Sequence, residues 1–108
     1  MWQKARSLAR RTYQFTGGLP PSEKRGLIDQ MRRSAVSVAS NIAEGAAMDT
    51  DAQFSRFLGY ALASASELHS QLDVCSEVGL GDRAEHASLD RDIDEVKRML
   101  TGLRKRLR

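Results

Sequence analysis

The sequence predicts an all-α protein: one domain over residues 1–108, folded as an antiparallel up-down-up-down four-helix bundle that assembles into a homo-oligomer. Three observations lead to the bundle. The two prolines are adjacent, Pro20 and Pro21, and no segment alternates in the manner of a half-buried strand. Helix breakers fall in three places, "TGGLPPS" at 16–22, "EGAAMDTD" at 44–51 and "GLGD" at 79–82, and leave four long segments between them. Within those segments apolar residues recur at three- and four-residue steps, and loops this short force neighbouring helices antiparallel.

The first segment, about 2–16, puts Trp2, Ala5, Ala9, Tyr13 and Thr16 on one side and ends at Gly17 and Gly18. The second, about 22–47, carries a stripe of Leu27, Ile28, Met31, Ala35, Val38 and Ile42. The third, about 51–78, has Phe54, Leu58, Ala61, Ala65, Leu68, Leu72 and Cys75, an unbroken heptad seam preceded by a capping pair, Thr50 and Gln53. The fourth, about 83–107, repeats the spacing with Leu89, Ile93, Val96, Leu100, Leu103 and Leu107.

Composition narrows the function classes. At 41% hydrophobic and 29% charged the chain reads as an ordinary globular domain. No apolar run approaches the ~20 residues of a membrane span, and "MWQKARSLARR" lacks the apolar core of a secretory signal. The lone cysteine, Cys75, sits in a helical stripe, which fits a reduced, cytoplasmic setting. Charge is unevenly spread. Residues 1–40 carry a net +6, residues 41–96 a net −9, and residues 97–108 six basic groups with no acid. Basic ends around an acidic middle fit two readings: helices neutralising one another in the bundle or between subunits, or a surface for an anionic partner.

The second segment has a second pattern. Gln30, Ser34, Ser37, Asn41 and Glu44 are spaced 4-3-4-3 on the side taken as opposite to its apolar stripe, with Arg33 beside them. Small serines allow close helix approach, and the larger polar groups can exchange charge-assisted hydrogen bonds with a partner. The third segment offers a matching small or polar face that includes Gly59, Ala63, Ser64, Ser66, Glu67 and Gln71. Two contact faces on each of two helices point to a homo-oligomer in which these helices bury a more polar surface.

No catalytic set is expected, because no nucleophile, base and orienting group fall together. His69 and His86 lie on different segments without an acidic or cysteine partner at ligand spacing, so no metal site is expected either. "GLGD" lacks the spacing and lysine of a phosphate loop. Neither a cofactor nor a small-molecule substrate is anticipated.

Several ordered motifs, "WQKARSLA" at 2–9, Pro20-x-x-Glu23-x-x-Gly26-Leu27-x-x-Gln30-x-Arg32-Arg33, "SNIAEG" at 40–45, "RFLGYALASASEL" at 56–68 and Gln71-Leu72, resemble the bacterial family associated with intervening sequences of 23S ribosomal RNA genes. The accessory variability proteins of diversity-generating retroelements are relatives of that family. The resemblance implies a ring-like homo-oligomer, a homopentamer with a central channel, no enzyme activity, and, in the retroelement branch, binding of structured RNA and a reverse transcriptase through a basic surface. Two departures matter: the loop after "NIAEG" reads "AAMDTD" where relatives tend to place an aromatic, a glycine and basic residues, and Arg25 replaces an aromatic before Gly26-Leu27. The basic candidates for RNA or partner contact are then Lys4, Arg6, Arg10 and Arg11 near the start, and Lys97, Arg98, Arg104, Lys105, Arg106 and Arg108 near the end. The function implied is an RNA-binding or ribonucleoprotein accessory factor; the alternative is a protein-interaction scaffold with no direct nucleic-acid role.

Overall fold

The computed structural model of the chain describes residues 2–107. Four long helices, α1 (Trp2–Gly17), α2 (Asp29–Ala46), α3 (Asp51–Glu77) and α4 (Arg83–Arg106), fold into an all-α bundle with no strand among the described residues. The body measures 43 × 23 × 20 Å, and its long axis matches the ~40 Å that α3 spans at about 1.5 Å per residue.

The second segment does not start as one helix at residue 22. A 3₁₀ turn over Pro21–Glu23 leads into a π turn over Lys24–Ile28, and regular α2 begins only at Asp29. The break falls at Gly26, whose φ of −102° and ψ of −109° lie outside the helical well. The third helix starts as expected, with the Thr50 hydroxyl accepting from the Gln53 amide at 3.1 Å. Asp82 caps α4 in the same way, its carboxylate accepting from the Glu85 amide at 2.9 Å. In the loop between α3 and α4, Gly79 and Gly81 take φ of 73° and 89°, the left-handed region that glycine enters without steric cost. A Cβ on Gly81 would also lie 2.6 Å from the ring of Phe15.

The predicted stripes of α2, α3 and α4 form most of the core: Ile28, Met31, Ala35, Val38 and Ile42; Leu58, Ala61, Ala65, Leu68, Leu72 and Cys75; Leu89, Ile93, Val96 and Leu100. Leu27, Phe54, Leu103 and Leu107 are only partly buried at its margin. The first helix is rotated from the expected face. Its buried residues are Ala5, Leu8, Thr12, Phe15 and Thr16, while Trp2 and Tyr13 are 44% and 46% exposed. Leu8 and Phe15 carry no polar atom into the core, whereas the Trp2 indole N–H and the Tyr13 hydroxyl would each need a partner there, and the threonines lose little by burial. Thr12 and Thr16 donate to the carbonyls of Leu8 and Thr12, each at 2.8 Å, so neither hydroxyl is left unpaired.

Candidate functional site: a polar seam and a basic flank

The polar set of α2 lies closer to the core stripe than the sequence reading placed it. At 100° per residue its mean direction is about 110° from the stripe, a flank rather than the opposite side. That flank meets α3 of the same chain. Ser34, buried, donates to the Glu67 carboxylate at 3.2 Å, and Gln71 Nε2 donates to the same oxygen at 3.4 Å. The Ser37 and Ser64 hydroxyls are 2.8 Å apart, and Asn41 Nδ2 donates to the Ser37 carbonyl at 2.9 Å and to its hydroxyl at 3.0 Å. The amide oxygen Gln71 Oε1 is buried and has no hydrogen-bond partner among the described residues.

The expected network thus divides. Ser34, Ser37, Asn41, Glu67 and Gln71, with Ser64, form an intramolecular α2–α3 seam. Gln30, Arg33 and Glu44 remain at the surface, and Arg33 lines a groove of about 570 Å³ with Tyr13, Asp29, Arg32, Val36 and Ser37. Arg33, Asn41 and Glu44 do not pair with one another among the described residues, and only the middle of the 4-3-4-3 run faces α3.

One glycine sets the closeness at the end of this helix pair. Gly45 of "SNIAEG" is buried, and a Cβ there would fall 2.8 Å from Phe57 Cβ and 2.9 Å from Phe54 Cδ1. The motif therefore has a packing reason.

The basic candidates separate by what they touch. Lys4 is paired with Glu95, and Arg11 Nη1 lies 3.0 Å from Asp92 Oδ2 and 3.3 Å from Ser88 Oγ. These contacts fix α1 and α4 antiparallel, so the N-terminal turn of α1 and the C-terminal turns of α4 share one end of the bundle. Arg104, partly buried, folds back on α3: its Nε donates to Ser55 Oγ at 3.4 Å, and its guanidinium covers Gly59, where a Cβ would sit 3.2 Å away. Arg6, Arg10, Arg98, Lys105 and Arg106 are exposed, and Lys97 is half-buried. Arg6 lies 4.6 Å from the centroid of the Trp2 ring. With Gln3, Ser7 and Arg10 it lines a shallow groove of about 340 Å³. Arg108 lies outside the described residues.

Sequence spacing missed one polar cluster. His69 does have acidic partners: Asp90 Oδ1 is 2.6 Å from its Nε2, and Asp94 Oδ1 is 4.0 Å from its Nδ1. Asp73 follows His69 by four residues on α3, a pairing visible in the sequence, whereas Asp90 and Asp94 arrive from α4 only on folding. His86, by contrast, serves the packing, with Nε2 3.2 Å from the Leu72 carbonyl and its ring edge-on to Phe15.

Fold and surface together define a four-helix bundle with a serine-rich seam between its central helices and a basic flank at one end. Residues 1–102 match the model of the 23S rRNA-intervening sequence protein family, and the chain belongs to that family. A crystal structure of a protein of unknown function from the S23 ribosomal protein family of Bacteroides thetaiotaomicron VPI-5482 shares the fold, with a TM-score of 0.85 at 25% identity. The alignment covers 96% of this chain and 97% of that one. No curated protein sequence matches.

Proposed function

We propose that the chain is a non-enzymatic, cytoplasmic accessory factor that assembles into a homopentamer and holds structured RNA on the basic flank of α1 and the end of α4. The observation that carries this reading is the pair Arg6 and Arg10. They stand one turn apart on α1, both exposed, on the same groove, and neither has an acidic partner among the described residues. Two guanidiniums so placed suit neighbouring phosphates, and the exposed Lys105 and Arg106 extend the positive field at the same end of the bundle. With six aromatics in the chain, recognition is led by charge and shape rather than by base stacking. Self-assembly is supported by apolar side chains left exposed on the central helices, Val36, Tyr60 and Val74. The family resemblance, through its retroelement branch, adds a reverse transcriptase to the partners of this reading.

A scaffold role is favoured by a different observation. Lys4, Arg11 and Arg104 are already engaged inside the bundle, so part of the charge asymmetry serves folding. The two readings separate in one experiment: fluorescence anisotropy of a labelled RNA hairpin at about 50 mM salt, with light scattering on the same samples. Binding that is lost in an Arg6→Glu/Arg10→Glu variant of unchanged mass supports the RNA reading. Absence of binding by the wild-type assembly transfers the basic flank to an acidic protein partner.

A further inference from the structure

We propose that His69, Asp73 and Asp90 form a binding site for a divalent transition-metal ion that clamps α3 to α4. His69 and Asp73, four residues apart, share one face of α3, and Asp90 reaches them from the second turn of α4. One ligand atom from each of the three lies within 4.8 Å of the others. An ion bound at about 2.0–2.2 Å from nitrogen and oxygen donors holds them about 3–3.5 Å apart. Binding therefore replaces the 2.6 Å contact between His69 Nε2 and Asp90 Oδ1 with the ion, opens that pair by about 0.5–1 Å, and draws in the exposed Asp73 side chain. Asp94, 4.0 Å from His69 Nδ1, stands on the other side of the imidazole and can orient it as an outer carboxylate.

Charge points the same way. An ordinary histidine–aspartate pair needs one carboxylate, but His69 is surrounded by three. No lysine or arginine among the described residues is within ion-pair distance of Asp73, Asp90 or Asp94. Even a protonated imidazole leaves two negative charges of this group without a counter-charge, which a divalent cation supplies. The helix arrangement aims these groups at α3: Asp92 pairs with Arg11 of α1, whereas Asp90 and Asp94 face His69. The imidazole selects zinc, cobalt or nickel over calcium and magnesium, which prefer oxygen alone. With three protein donors from two helices, the ion is a clamp whose remaining positions are filled by water.

The test is calorimetric titration of the chelator-treated, full-length chain with zinc chloride, with cobalt chloride followed by visible absorption as the second probe. One ion per chain is expected, with affinity falling by roughly tenfold or more in His69→Ala and in Asp73→Asn. Asp73→Asn is the discriminating variant, because Asp73 is exposed and makes no ion pair; its helicity should match the wild type. Zinc should also raise the melting temperature of the wild type and not of either variant. Absence of saturable zinc and cobalt binding, undiminished binding by Asp73→Asn, or calcium binding as tight as zinc would each overturn the proposal.

Discussion

Replacing Gly45 by alanine puts the close α2–α3 contact to a quantitative test. The new Cβ would sit 2.8 Å from Phe57 Cβ, 2.9 Å from Phe54 Cδ1 and 3.3 Å from the Phe54 carbonyl. Two of these three neighbours are a backbone atom and the first atom of a side chain, which move only with the helix, so α2 and α3 must separate locally. Overpacking of this kind costs about 1–3 kcal/mol, while removing a helical glycine returns up to ~1 kcal/mol. The net expectation is a loss of about 1–2 kcal/mol. Gly102, inside α4, is the matched control: a Cβ there meets nothing closer than Arg106 Nη1 at 4.0 Å. Gly102→Ala should therefore gain about 0.5–1 kcal/mol by helix propensity alone. Urea unfolding at one fixed protein concentration reads both, since any assembly makes stability depend on concentration. Opposite signs are required. A Gly45→Ala chain as stable as Gly102→Ala would refute the packing role of this glycine.

Leu68→Ala, which empties a fully buried position of α3, should cost about 3–5 kcal/mol in the same assay, and Leu103→Ala, only half-buried, clearly less. Burial pushes the Cys75 thiol above its ordinary value of 9.0, with the Glu23 carboxylate adding to the effect. The folded chain thus resists ionisation that the unfolded chain accepts. Stability should be flat in this respect below pH 9 and fall as the pH rises from 9.0 towards the raised folded value. Cys75→Ser should flatten that fall in alkaline urea titrations, and thiol reagents should label Cys75 no faster than the bundle opens.

The periodicity of α3 and α4 was legible because apolar residues recur there in unbroken three- and four-residue steps, a register that stands out even though α3 also carries Tyr60 and Val74 off the stripe, exposed. In α1 it misled: Tyr13 is large and apolar enough to suggest the core, yet its ring remains outside as a platform for the Arg32 guanidinium, 4.3 Å from its centroid. Thr12, polar in the sequence, is buried because its hydroxyl is satisfied within its own helix. The spacing of the α2 seam was equally legible, but its destination was not. A polar stripe at heptad steps shows that a helix neighbour exists; whether that neighbour is α3 or a second chain depends on packing angles that one helix does not encode. The His69 cluster illustrates the same limit, since half of it is local in sequence and half is supplied by α4.

The most direct test of the central claim is the salt dependence of RNA-hairpin affinity. Each lysine or arginine that contacts a phosphate steepens the slope of log K against log salt by about one. Affinity should fall steeply as salt rises, and Arg6→Gln/Arg10→Gln should make the slope shallower by about two. Arg11→Gln, whose guanidinium already serves Asp92, should leave the slope nearly unchanged. No binding at low salt, or a slope indifferent to Arg6 and Arg10, would contradict the account.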